Sequence, residues 1–264
     1  MATNRPEGVC HICGNTLPLT YEHVPPRSAF NDEPADIFNY LDWASRDEAG
    51  NMSGGTRQQR GWGAFTLCQD CNSNTGSWYV PALSTFVRAG LSVLIQLTPD
   101  EVANQRSGQG ATVEFVDTYP LRFLKQVVTM LLSANGPEFG RRNPDLVSFV
   151  LNREQQGLPE RYDFFLSFFR GPMGRMVGLS ARFDGTGTSL LSEIAYPPFS
   201  YLMTIDTQNP ILPAGNISHV ANYAYDEMAT IRLNMVVGFG HTPFPGDFRS
   251  MADIESDRES ADRE

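Results

Sequence analysis

The chain has 264 residues, 41% of them hydrophobic, with 4 cysteines, 4 histidines and a formal charge of −10 at pH 7. That length accommodates one large or two modest domains around a sizeable core. The acidity excludes a broad basic surface for nucleic acid, so any contact with DNA or RNA has to be local. The longest apolar stretch, around Phe86 to Leu97, is interrupted by Arg88, Ser92 and Gln96, and it falls short of the roughly 20 residues that span a bilayer.

In chain order, Met1 to Gly8 is polar and lacks the apolar core of a signal peptide. The chain is therefore expected in a reducing cytosol, where thiols bind metal rather than pair. Cys10/Cys13 and Cys68/Cys71 form two Cys-x-x-Cys knuckles. Brought together, they supply the four thiolates of a closed tetrahedral zinc site. Residues 14–67 between the pairs exceed the usual interval of about 15 to 20 in a compact zinc ribbon. One disulfide per pair, or four ordinary thiols, are the alternatives.

Leu19 to Phe30, LTYEHVPPRSAF, begins as a short strand that Pro25-Pro26 stops by removing ladder donors and fixing φ. Residues 31–61 read as an irregular inserted loop with an apolar patch at Ile37 to Trp43 and a polar, Gly-rich run from Ser45 to Gly61. Ala64 to Leu67 reads as a second strand running into Cys68, and a helix is expected from Cys71 onward. Residues 1–80 carry five arginines, no lysine and nine acidic residues, net −4, so the acidity is not confined to the rest of the chain.

Leu83, Phe86, Val87, Leu91, Leu94 and Ile95 recur at helical spacing up to Pro99. Leu121, Leu124, Val127, Val128 and Leu131 repeat the pattern, with Asn135-Gly136 as a left-handed cap. Tyr162 to Phe169, Met176 to Phe183, Ser189 to Ala195, Ser200 to Ile205 and Ala229 to Val237 are aromatic and branched runs between turn residues, and read as strands. The fold class is α+β: a zinc-stapled head (1–80), a mixed body of helices and antiparallel sheet (81–246), and an acidic tail (247–264) with a disordered composition.

The chemistry is expected at Glu22-His23 and Asn72. A neutral imidazole suits a general base for hydrolysis, which makes His23 the catalytic candidate. Carboxylate and amide oxygens suit Mg²⁺ or Mn²⁺, so Glu22 and Asn72 could hold one such ion between them, with Asn74 the alternative to Asn72. Asn72 also suits the simpler job of a helix N-cap. Arg27, Arg57 and Arg60 could bind phosphate, though arginines in a polar loop commonly form a solvated face. His11 reads as exposed, because four thiolates already close the zinc site. His219 and His241 have no metal-ligand spacing and read as structural. Tyr162, Tyr196, Phe199 and Tyr201 read as core rather than as a base-stacking surface.

YEHVPPRSAF followed by TLCQDCNSNTG, framed by CHIC, resembles the HNH endonuclease superfamily over about residues 8–80. The resemblance implies a ββα-metal fold in which the four cysteines hold structural zinc, His23 activates water, and Glu22 and Asn72 bind the catalytic cation. Members of this type often carry an asparagine a few residues before the third zinc cysteine, where it orients the histidine; here that position is Gly63. His23 is then left to a backbone carbonyl or to a residue of the insert such as Asn51. The resulting expectation is a cytoplasmic endonuclease cutting DNA, with RNA the second candidate substrate, and with a body that positions substrate, oligomerises or controls activity. The alternative is a non-catalytic, zinc-stabilised module that binds a protein or small ligand. A nucleophilic hydrolase is disfavoured, because no Ser or Cys of the body sits in a nucleophile motif.

Overall fold

The computed structural model describes residues 5–47, 50–97, 111–171, 173–183, 187–207 and 212–261. The chain opens with strands β1 (Glu7–Val9) and β2 (Thr16–His23), paired antiparallel. The insert, expected to be irregular, is partly regular: β3 (Ala35–Ile37) pairs antiparallel with β4 (Thr56–Gln58), and helix α1 (Tyr40–Ala44) follows β3. Asn39 and Asp42 begin α1 as a reciprocal capping box. Strand β5 (Gly63–Cys68) returns antiparallel along β2 and completes a three-stranded sheet in the order β1-β2-β5.

Helix α2 (Gln69–Leu94) starts between the cysteines of the second knuckle and runs unbroken for 26 residues. The helix expected after Cys71 and the amphipathic one near residue 83 are thus a single element, which passes through residue 80. Pro81 inside it faces solvent. The amide it lacks would have bonded the carbonyl of exposed Ser77, which water can satisfy. The inner face, including Cys71, Thr75, Tyr79, Leu83, Phe86, Gly90 and Leu94, recurs at the helical period.

Strand β6 (Ala111–Thr118) leads into helix α3 (Pro120–Asn135), which starts on a first-turn proline and ends at Gly136, whose φ is 83°. Burial on almost every side makes α3 the central helix of the molecule. Lys125, the sole lysine of the chain, is fully buried there. Helices α4 (Pro137–Arg142) and α5 (Pro144–Leu151) follow. The Lys125 Nζ donates to the carbonyls of Phe149 and Asn152 at 2.7 and 2.6 Å, at the C-terminal end of α5.

The expected strands of the body all form. Strands β7 (Tyr162–Phe169), β8 (Arg175–Phe183), β9 (Thr188–Tyr196) and β10 (Phe199–Ile205) are joined by β11 (Gly215–Asn216) in the order β11-β7-β10-β9-β8, all antiparallel. Strand β12 (Ala229–Met235) pairs with β6, and β13 (Val237–Gly238) adds to β7 in parallel. The two faces of β7 and β10 pack separately. Phe164, Leu166, Phe168, Phe199 and Tyr201 join the main core, while Phe165 and Leu202 join Leu191 and Phe248 on the reverse face. Tyr162, Phe199 and Tyr201 are buried, as expected of core, whereas Tyr196, read in the same way, is half-buried.

The main core runs without a break from Cys10, through α2 and α3, to Val237. At its centre Phe86 stacks on Phe115 at 4.1 Å and on Phe123 at 4.0 Å. The segment read as a tail is ordered in part. Phe248 docks on the sheet, the Asp247 carbonyl accepts from Arg175, and residues Met251–Ala261 form helix α6. Among the described residues no helix is long and apolar enough to cross a membrane.

Candidate functional site

The two knuckles meet where β1, β2 and β5 deliver the chain to α2. The sulfurs of Cys10, Cys13, Cys68 and Cys71 all lie within 4.8 Å of one another, and none is in a disulfide. Tetrahedral Zn–S bonds of about 2.3 Å place ligand sulfurs about 3.8 Å apart; Cys13 Sγ and Cys68 Sγ are 3.9 Å apart. The set therefore fits zinc. Hydrogen bonds from the Cys71 thiol and from the backbone amides of Cys68, Cys13 and Ile12 hold the Cys10 thiol below its ordinary pKa against the effect of burial, while the contact with Cys10 and burial raise Cys71, and burial raises Cys13. The protons are therefore unevenly shared within the cluster, and a bound metal would have to displace those of the other thiols. His11 departs from expectation: it is half-buried, and its Nδ1 lies 2.7 Å from the Ser133 carbonyl, which ties the first knuckle to α3.

Glu22 and His23 end strand β2. Adjacent strand residues point to opposite faces, and the structure shows the split. Thr20, two residues before Glu22, accepts from Asn72 Nδ2 at 2.8 Å on the α2 side and donates to the Leu67 carbonyl. Tyr21 lies with His23 on the other side, ring edge to ring, with centroids 5.0 Å apart. Asn72 is thus drawn to β2 through Thr20, and no hydrogen bond joins it to Glu22 among the described residues. Asn74 is exposed on the outer side of α2.

Glu22 is 8% exposed and has no hydrogen-bond or ion-pair partner among the described residues; burial raises its carboxyl to about 7. The His23 Nε2 sits 3.0 Å from the Arg60 carbonyl. A carbonyl only accepts, so Nε2 carries the proton and Nδ1 keeps the lone pair. Burial, and then the nearby Arg27 and Arg60, lower the His23 pKa below its usual value despite that bond, so the ring is neutral at pH 7. Of the two orienting groups the sequence left open, the backbone carbonyl is the one found; Asn51 is spent on Asp47.

Gly63, opposite His23, has a steric reason to be glycine. A Cβ there would lie 2.2 Å from the Glu22 carbonyl oxygen and 2.6 Å from the Tyr21 ring. Asn31 was not foreseen: 1% exposed, it donates to the carbonyls of Pro25 and Trp62 and accepts from the Trp62 amide. It locks the Pro25 turn to β5, as Ser28 locks that turn to Ser84 of α2. Nothing in the sequence around Asn31 marks it, because its partners are backbone atoms. Of the arginines, Arg57 is paired with Asp36 at 2.8 Å, whereas Arg27 and Arg60 are exposed beside His23. His219 is exposed, and His241 stacks on Phe239.

Compared with known protein families, with curated proteins and with solved structures, the chain finds no match.

Proposed function

We propose that the chain is a metal-dependent phosphodiesterase that hydrolyses DNA, with His23 as general base. The observation that carries this reading is the state of His23: neutral, oriented through Nε2 by the Arg60 carbonyl, and flanked by two exposed arginines in a chain of charge −10. Nδ1 takes a proton from water, and the oxygen attacks phosphorus in line as the P–O3′ bond breaks, with no covalent intermediate. Arg27 and Arg60 offer charge to the non-bridging oxygens. Glu22 and the spare Oδ1 of Asn72 are hard oxygen donors, and a buried carboxylate without a partner favours a cation. Mg²⁺ or Mn²⁺ bound there would stabilise charge on the leaving oxygen. Glu22 and His23 are the last two residues of β2 and point to opposite faces, so substrate has to contact both faces at the end of the strand. The four cysteines hold structural zinc.

Plasmid and single-strand cleavage with Mg²⁺ or Mn²⁺ tests the reading against His23→Ala of equal zinc content. Cutting is expected to fall by about 10² to 10⁴ in the variant. Zinc content does not separate this enzyme from a non-catalytic binding module, because both hold the same structural ion. Calorimetric binding of Mn²⁺ that Glu22→Gln abolishes does separate them, and its absence from the wild type would sink the catalytic reading.

A further inference from the structure

A cleft of about 970 Å³ lies between the insert and the edge of the body near β8, large enough for a small organic ligand. Its walls are aromatic: Phe30, Tyr40, Trp43 and Trp62 from the first 62 residues, Tyr196 and Phe244 from the body. These rings brace one another across the gap. Trp62 meets Tyr196 edge-on at 5.4 Å, the Tyr196 hydroxyl donates to the Phe30 carbonyl at 2.8 Å, and Phe244 receives Tyr40 at 5.9 Å and Trp43 at 6.4 Å. Walls fixed before a ligand arrives spare the cost of ordering them on binding.

The charges around the cleft narrow the ligand. Arg175, which lines it, is already bound to buried Glu193 and to the Thr242 and Asp247 carbonyls. Asp36 is paired with Arg57. Arg175 and Asp36 are the only charged residues among the described ones that line the cleft, so an anionic ligand finds no free cation there. Among the polar lining groups, Gln58 accepts from the Tyr21 hydroxyl through Oε1 at 3.1 Å, and its amide N–H groups have no partner among the described residues.

We propose that this cleft binds one planar aromatic small molecule, uncharged or cationic, with the Gln58 amide donating to an acceptor on it. Stacking on the rings supplies the attraction, and an anion gains no counter-charge because the lining cation, Arg175, is already paired. The proposal does not depend on the cleavage reading, since binding alone tests it. Gln58 nevertheless joins the cleft to the base: it holds the hydroxyl of Tyr21, whose ring lies against His23.

Three acridines of one shape serve as probes for fluorescence anisotropy on the zinc-loaded chain: uncharged acridone, cationic 9-aminoacridine and anionic acridine-9-carboxylate. Saturable binding of the first two at one site per chain is expected, with the carboxylate at least tenfold weaker. Tyr40→Ala and Phe244→Ala, both at half-exposed positions (53% and 50%), are expected to weaken acridone at least tenfold with an unchanged circular dichroism spectrum. No saturable binding of acridone or 9-aminoacridine, binding indifferent to both substitutions, or equal affinity for the carboxylate would each overturn the proposal.

Discussion

An ionised carboxylate without a partner is unstable inside a protein, and Glu22 is placed to show how strongly. Its carboxyl rises from the ordinary 4.5 to about 7 on burial, so the folded chain holds a proton that the unfolded chain has released. The contribution to stability is complete below about pH 4.5, falls as pH rises, and levels off above about 7, a loss of about 3 kcal/mol. Urea titrations of the zinc-loaded chain, free of other divalent ions, should therefore give a wild-type stability that falls across this window relative to Glu22→Gln. Millimolar Mn²⁺ should shrink the difference by substituting for the proton. Equal slopes for the two proteins would mean that Glu22 is solvated. At this scale the sequence named the residues but not their setting. Glu22, His23 and Asn72 could be singled out because side-chain chemistry and spacing are written in the chain. The partner of His23 is a main-chain carbonyl at Arg60, and every residue type carries one of those.

Helices and strands were legible where burial repeats with their period, and illegible where length or chemistry hides it. Both ends of α2 show the helical pattern, but Pro81 and the polar run from Asn72 to Ser77 conceal that they are one helix. Strands β3 and β4, three residues each, are too short to display alternation. One consequence of α2 running against the sheet concerns Gly90, whose added Cβ would lie 2.0 Å from the ring of Phe199. Alanine gains about 1 kcal/mol in helix propensity, whereas overpacking of this kind costs about 1 to 3 kcal/mol. Phe199 is fully buried among Phe86, Phe115 and Phe168 and cannot swing away. Gly90→Ala should thus be destabilised by up to about 2 kcal/mol net, read as a lower urea midpoint at unchanged slope. An unchanged or higher midpoint would show that α2 and β10 shift apart easily.

Across the whole molecule, the periodicity and the turn-bounded apolar runs foretold the α+β class and the strands of the body, but not that head and body share one core. That sharing depends on α2 carrying a cysteine of the four-sulfur cluster at one end and Leu94 at the other. Zinc loss should therefore be felt beyond the head. Cys71→Ser is expected to unfold in a single thermal transition, at least about 10 °C below the wild type, with near- and far-ultraviolet dichroism changing together. Two separated transitions, the upper one matching the wild type, would show that the body stands alone.

The burial of Lys125 has a practical corollary. The chain has no other lysine, and Lys125 Nζ is enclosed against the end of α5. Reagents that acylate primary amines therefore find only the α-amino group on the native chain, and a second acyl group marks a molecule in which α3 has been exposed. The mass spectrum after such a reaction counts openings of the core directly, with no probe added to the protein.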